Sequence, residues 1–137
     1  MSKGEAKVKH ARAFEGGCLC GQVRYRVAGE PKAAAYCHCR MCQRATGAPV
    51  TAWVRFPTSA VRFTGEMKAY ESSPGTHRCF CPNCGSSLAT MSTDSERVAL
   101  TIPTLDEPER VPPAAHGWTS SQMPWLWIDD GLEHRER

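Results

Sequence analysis

Apolar and polar residues alternate along much of this chain with a period of two. Such alternation places the apolar side chains on one face of an extended segment. It therefore predicts half-buried β-strands. The pattern is clear in four places: Gln22–Val27, Thr51–Phe56, the residues around Val61 and Phe63, and the residues from Val98 to Ile102.

Turn-forming residues separate these segments. They cluster at Gly16-Gly17, Gly29-Glu30-Pro31, Pro57-Thr58, Gly65-Glu66, Ser73-Pro74-Gly75 and Thr93-Asp94. Such clusters of Gly, Pro, Asp and Ser are typical of turns. No segment has a 3.6-residue period with helix caps, although Arg40–Gly47 is compatible with one helical turn. We predict a mainly β fold of short antiparallel sheets.

The tryptophan-rich region is open to two interpretations. It contains Trp118, Trp125 and Trp127. The simpler interpretation is a late strand that packs on the core. The alternative is that these rings form one wall of a pocket.

The 137 residues correspond to one domain. The net charge of +3 comes entirely from residues 1–13, which contain four basic residues and one acidic residue. We predict a flexible basic tail at 1–13, a domain at 14–132 and a charged tail at 133–137. The neutral domain argues against nucleic-acid binding.

The expected location of the protein is the cytoplasm. No apolar run approaches the ~18 residues of a membrane span. Residues 1–13 also lack the apolar region of a secretory signal. We therefore expect no membrane association.

The chain contains 8 cysteines, an unusually high number, in three tight groups. Metal binding, disulfides and buried free thiols are the alternatives. Disulfides suit small secreted chains, whereas cysteines at i and i+2 on a strand share a face and can share a metal. The groups are Cys18-Leu-Cys20, Cys37-His-Cys39-Arg-Met-Cys42 and Cys79-Phe-Cys81-Pro-Asn-Cys84. We predict zinc, because thiolates in a tetrahedral set favour it.

The spacing of the cysteines also divides the ligands between two metal sites. In Cys81-Pro-Asn-Cys84-Gly85, a tight turn aims two sulfurs at one point, and Gly85 is free to adopt a positive φ. These two sulfurs, with Cys18 and Cys20, complete a tetrahedral structural site. The middle group supplies only three thiolates, and a site with one exchangeable position is typical of catalytic zinc. The predicted ligands of this second site are Cys37, Cys39 and Cys42.

Cys79 and two histidines have more than one interpretation. Cys79 is either a fourth ligand of the second site or, in the favoured interpretation, a buried thiol. His38 points away from its neighbouring cysteines if the segment is a strand, so we predict a structural role rather than metal binding or acid–base chemistry. A structural role is also favoured for His116.

The cysteine motifs resemble those of the glutathione-dependent formaldehyde-activating enzyme family, which also includes centromere protein V. The resemblance spans about Phe14 to Leu132. It also includes Thr104-Leu-Asp106-Glu-Pro108 and His116-Gly-Trp118-Thr-Ser-Ser121. It implies a zinc-stapled β-tent with two zinc ions per chain, one structural on Cys18, Cys20, Cys81 and Cys84 and one catalytic on Cys37, Cys39 and Cys42.

The implied activity is the condensation of formaldehyde with glutathione to S-hydroxymethylglutathione, formally a carbon–sulfur lyase in reverse. The expected partners are a small thiol such as glutathione and a small aldehyde. Arg40, Arg44 and Arg78 are candidates for binding the carboxylates of glutathione. For each arginine taken alone, a solvated surface role is the favoured interpretation. The alternative function is a non-catalytic zinc-stabilised binding module, which would gain from closing the second site with Cys79.

Overall fold

The computed structural model describes residues 12–137, so the predicted basic tail at 1–13 lies almost wholly outside the described residues. Eleven strands and one seven-residue α-helix, α1 (Arg40–Thr46), make up most of the described regular structure. The strands are β1 (Phe14–Gly17), β2 (Arg24–Val27), β3 (Ala33–Cys37), β4 (Thr51–Pro57), β5 (Val61–Thr64), β6 (Lys68–Ser73), β7 (Thr76–Phe80), β8 (Ser87–Ser92), β9 (Arg97–Thr101), β10 (Ala115–Gly117) and β11 (Glu133–His134). Short 3₁₀ helices lie at Thr58–Ala60, Ile102–Thr104, Pro108–Arg110 and Thr119–Ser121.

The strands form two sheets. The smaller sheet has the order β1-β2-β5, and the larger has the order β11-β10-β3-β4-β9-β8-β7-β6. Nearly all neighbours are antiparallel, which confirms the predicted mainly β class with short antiparallel sheets. The exception is β10, which pairs in parallel with both β3 and β11. No helix among residues 12–137 has the length and apolar character that a membrane crossing requires.

The core lies between the two sheets. Phe14 and Val27 from the small sheet pack in one buried cluster with Phe56, Leu88 and Leu100 from the large sheet. The rings of Phe14 and Phe56 lie 5.4 Å apart. Full burial of each large apolar side chain contributes roughly 1.5–3 kcal/mol, so this shared cluster holds the sheets together.

The loop at 102–106 also connects the sheets. The Tyr25 hydroxyl lies 2.8 Å from Thr104 Oγ1, and the Asp106 N–H donates to the Glu15 carbonyl. Asp106 also forms an ion pair with Arg24. The Thr104–Pro108 motif therefore has a structural role here.

The four alternating segments contain strands β2, β4, β5 and β9, as predicted. The predicted turn at Gly16-Gly17 is wrong, because both residues lie in β1. A Cβ on Gly16 would lie 2.4 Å from the Thr104 carbonyl oxygen and from the Tyr25 hydroxyl. Glycine is needed there for the close approach of neighbouring atoms rather than for a turn.

The predicted tryptophan strand is also wrong. Trp125 and Trp127 lie outside the strands and are 71% and 68% exposed. The segment after Thr119–Ser121 instead crosses the surface and returns as β11. Strand β11 falls within the segment 133–137.

Gly65 and Gly47 provide a matched test of the packing between β2 and β5. Both have positive φ, +89° and +75°, but a Cβ on Gly65 would lie 2.0 Å from the Gln22 carbonyl oxygen, whereas a Cβ on Gly47 meets nothing within 4 Å. A left-handed non-glycine residue costs roughly 1–2 kcal/mol. We expect Gly47→Ala to lose about that much and Gly65→Ala at least twice as much in the free energy of unfolding, measured by denaturant titration. Equal losses would contradict this packing.

Candidate functional site

Four thiols converge where the two sheets meet. Cys18 and Cys20 lie in the loop between β1 and β2, and Cys81 and Cys84 lie in the loop between β7 and β8. Their four sulfurs lie within 4.8 Å of one another. We call these residues the four-thiol group. The cysteine spacing predicts that these four residues share one site, and the structure brings their sulfurs together.

The sulfur spacings fit a shared metal rather than disulfides. Cys20 Sγ lies 3.6 Å from Cys18 Sγ and 3.7 Å from Cys81 Sγ. A disulfide would bring two sulfurs to about 2.05 Å, and every cysteine in the chain is a free thiol. Tetrahedral zinc with Zn–S bonds near 2.3 Å separates its sulfurs by about 3.8 Å. The group can therefore hold a metal ion, and its geometry is compatible with zinc.

Backbone N–H groups surround these sulfurs. The N–H groups of Asn83 and Cys84 approach Cys81 Sγ at 3.4 Å. Hydrogen bonds from the side chain and backbone of Ser86 lower the pKa of Cys84 to about 5. Gly85 leaves the turn with φ +81°, the positive value expected from the sequence. The local turn thus stabilises the thiolate of Cys84.

A second group of thiols forms around the start of α1. Cys37 ends β3, Cys39 caps α1 and Cys42 lies in its first turn. Their sulfurs lie within 4.8 Å of one another. No further Cys, His, Asp or Glu among residues 12–137 joins this cluster, which we call the three-thiol group. It can hold a metal ion and leave a position for another ligand.

Arg78 on β7 stabilises the charge of the three-thiol group. Its two terminal nitrogens both lie 3.6 Å from Cys42 Sγ. Hydrogen bonds from Cys37 and Cys39, together with the charge of Arg78, lower the pKa of Cys42 to about 5. Cys42 is therefore the thiol most ready to act as a thiolate in this group.

Cys79 lies outside both thiol groups. It is 6% exposed and belongs to the apolar core between the sheets. Burial raises the pKa of its thiol. Its placement matches a buried apolar-like thiol rather than a metal ligand.

The three-thiol group opens onto a cleft of about 650 Å³. The size is typical of small-molecule sites. Tyr36, Trp53 and Trp118 contribute aromatic surface to it. Trp118 therefore lies in the wall of a pocket, which was the alternative to a strand in the sequence analysis. Trp118 also has a left-handed backbone, with φ 56°. Strained residues of this kind concentrate at functional sites.

Arginine dominates the charge of the cleft. Its charged lining residues are Arg40, Arg55, Arg78, Arg135 and Arg137. No Asp or Glu of the described chain lines it. Of the arginines considered in the sequence analysis, Arg44 is exposed on α1 and lies outside the lining. Arg55, Arg135 and Arg137 are distant from the cysteine motifs in the sequence, and no local pattern indicated them.

Three buried polar atoms of cleft-lining residues have no hydrogen-bond partner among residues 12–137. They are Trp53 Nε1, Arg78 Nε and Thr90 Oγ1. A buried donor without a partner is costly, by roughly 1–3 kcal/mol.

Two buried histidines lie behind the three-thiol group. His38 Nε2 lies 2.9 Å from His116 Nδ1, and His116 Nε2 lies 2.9 Å from Asp130 Oδ2. Because the carboxylate accepts, His116 donates through Nε2 and accepts from His38 through Nδ1. Burial lowers the pKa of His38, which favours its neutral form. Its side chain is fully buried, and the hydrogen bond of Nε2 to His116 is consistent with a structural role.

Four aromatic rings stack beside this chain of hydrogen bonds. His116 lies between Tyr36 and His134, with ring centroids 4.6 Å and 4.3 Å apart, and Trp127 stacks on His134 at 4.6 Å. We call Tyr36, His116, His134 and Trp127 the ring stack. It depends on the register of β3, β10 and β11, which places Tyr36, His116 and His134 side by side.

His116, Asp130 and His134 also place possible ligand atoms within 4.8 Å of one another. Both nitrogens of His116 are already hydrogen-bonded, to His38 and to Asp130. The rings of His116 and His134 are nearly parallel, at 12°, so their in-plane lone pairs do not converge on one point. This cluster is a hydrogen-bonded and stacked support rather than a metal site.

Comparisons with known proteins agree with this arrangement. An uncharacterized lyase of Schizosaccharomyces pombe is 31% identical over 75 residues, which are 55% of this chain and 55% of that protein. The chain thus matches about half the length of that curated relative. A crystal structure of a Rhodobacter sphaeroides protein is similar, with 25% identity and a TM-score of 0.54, and the match covers 72% of this chain and 91% of the other.

The family comparison covers most of the described chain. Residues 13–121 match the model of the glutathione-dependent formaldehyde-activating enzyme family. The matched stretch contains all eight cysteines and all the residues that line the cleft except Arg135 and Arg137. The chain therefore belongs to the glutathione-dependent formaldehyde-activating enzyme family.

Proposed function

We propose that the protein is a zinc-dependent enzyme of the carbon–sulfur lyase type, acting on adducts of a small aldehyde with a thiol such as glutathione. The observation that carries the proposal is the position of the three-thiol group, which faces the cleft without a fourth ligand from the described chain. A purely structural site would be closed by protein ligands. The family match and the lyase name of the yeast relative support the reaction class.

The donor sets fit two zinc ions with different roles. Four thiolates would form a structural site that links the loop at 18–20 to the loop at 81–84. Three thiolates would hold a second ion on Cys37, Cys39 and Cys42. Bound there, zinc would supply the positive charge that keeps an added thiol deprotonated at neutral pH.

The reaction itself needs little from the protein beyond binding and charge. The substrate sulfur forms a bond to the aldehyde carbon, the carbonyl electron pair moves to oxygen, and the thiol proton ends on that oxygen. Arg78 offsets the negative charge of Cys42. Arg40 and Arg55 line the cleft where they can bind substrate carboxylates.

The cleft also orients the substrate through its aromatic lining. Tyr36 and Trp118 supply aromatic surface beside the thiols. Holding thiol and aldehyde together lowers the entropic cost of a bimolecular reaction.

The metal assignment predicts a difference between two neighbouring buried cysteines, Cys79 near the end of β7 and Cys81 in the loop that follows. We expect about two zinc ions per chain by elemental analysis. Cys81→Ser should lower the melting temperature severely, because zinc-binding free energy is folding free energy. Cys79→Ser, the matched control, should be milder and keep both ions. Equal damage from the two substitutions, or iron in place of zinc, would refute the assignment.

The catalytic assignment is tested by cobalt substitution and turnover. With Co²⁺ in place of Zn²⁺, added glutathione should increase the thiolate-to-metal charge-transfer absorption, because a further sulfur joins the three-thiol group. The protein should also speed the equilibration of formaldehyde and glutathione with their adduct. Cys39→Ala should abolish both effects with the fold nearly intact, since the four-thiol group is untouched.

Cys79→Ala is the control for turnover, because Cys79 lies outside both thiol groups. It should retain the acceleration. A cobalt spectrum in which the three-thiol group already has four sulfur ligands and does not respond to glutathione would contradict the enzyme proposal. That result would favour a non-catalytic zinc-stabilised binding module.

A further inference from the structure

The cleft carries more positive charge than its thiols require. Five arginines line it, and no acidic residue of the described chain does. Three thiolates around a divalent cation would contribute a net charge of −1. Several positive charges in one partly enclosed cleft favour a ligand with more than one anionic group.

The arginines differ in what they already bind. Arg78 donates to Cys42 and Arg40 donates to Gln43 Oε1 at 2.7 Å. Arg135 forms an exposed ion pair with Glu133 at 3.0 Å, which offsets part of its charge. Arg55 and Arg137 form no salt bridge within residues 12–137. Arg137 is therefore the positive charge of segment 133–137 most available to a ligand.

Segment 133–137 is fixed against the cleft by backbone contacts. The Arg135 N–H donates to the His116 carbonyl, and the Arg135 carbonyl accepts from both the N–H and the hydroxyl of Thr119. The Ser120 hydroxyl donates to the Glu136 carbonyl at 2.8 Å. These bonds hold the backbone on each side of the arginines and thereby limit the positions of their side chains.

The ring stack anchors the same segment from the other side. His134 lies between His116 and Trp127, with its ring nearly parallel to both. His116 is itself fixed by His38 and Asp130. The anchor therefore reaches from the three-thiol group, through the two histidines, to strand β11.

We propose that segment 133–137 forms an anion-binding wall of the cleft, in which Arg135 and Arg137 select thiol substrates that carry two or more negative groups. The proposal rests on the enzymatic function proposed above and names its substrate class. The residues that match the family model end at 121, so this wall lies beyond the matched stretch. The anionic groups are carboxylates or phosphates, since arginine binds both through paired N–H donors.

The test compares ligands of different charge on zinc-loaded protein at low salt. Glutathione carries two carboxylates, its diethyl ester carries none, and coenzyme A carries phosphates. The variants are Arg137→Ala and the double variant Arg135→Ala/Arg137→Ala. Arg62→Ala is the matched control, because Arg62 is exposed on β5 and lies outside the cleft lining. Calorimetry measures binding, and circular dichroism and thermal melting check the fold.

We expect the double variant to weaken glutathione binding about tenfold, the scale of a lost charge-assisted hydrogen bond. Arg137→Ala should account for most of the loss, and Arg62→Ala for none. The diethyl ester should bind weakly and equally to all variants. In turnover, KM should rise while kcat changes little, because the wall contacts the anionic groups of the thiol substrate and not the reacting atoms.

The outcomes separate this inference from the proposed function. Unchanged binding of both glutathione and coenzyme A to the double variant overturns the anion-binding wall, whatever the activity. Arginine-dependent binding without any acceleration of adduct formation overturns the proposed reaction and leaves the wall in place. Whichever of glutathione and coenzyme A loses more affinity in the double variant identifies carboxylate or phosphate as the group that the wall prefers.

Discussion

The convergence of four sulfurs from two sheets is the constraint on which the rest of the structure depends. The loop at 18–20 belongs to the small sheet and the loop at 81–84 to the large one, yet their thiols lie within 4.8 Å of one another. Four thiolates at that spacing repel one another unless a cation binds them. The strands are only two to seven residues long, so a metal here would add stability that a thin core supplies only in part.

The three-thiol group depends on that framework. Cys37 ends β3, and Cys39 and Cys42 belong to the first turn of α1, so strand and helix must meet at a fixed angle. Arg78 reaches Cys42 from β7, which lies four positions from β3 in the large sheet. The electrostatics of the group are therefore set by the assembled sheet and not by the cysteine motif alone.

The buried histidines connect the three-thiol group to strand β11. His38 lies between two of the thiol residues, and its hydrogen bond to His116 continues to Asp130. The same His116 ring is stacked against His134. The hydrogen bonds and the stacked rings together couple the position of β11 to that of the three-thiol group.

The sequence by itself determined the elements whose signal is local. Alternation predicted β2, β4, β5 and β9, and cysteine spacing predicted which thiols would group, because neighbours on a short turn or strand share a face. The tertiary structure alone decided the strand at Gly16-Gly17, the exposed tryptophans and the parallel pairing of β10. It also brought Arg55, Arg135, Arg137 and Asp130 to the site. These residues act through partners distant in sequence, and neither periodicity nor motif spacing carries information on contacts that only the closed fold creates.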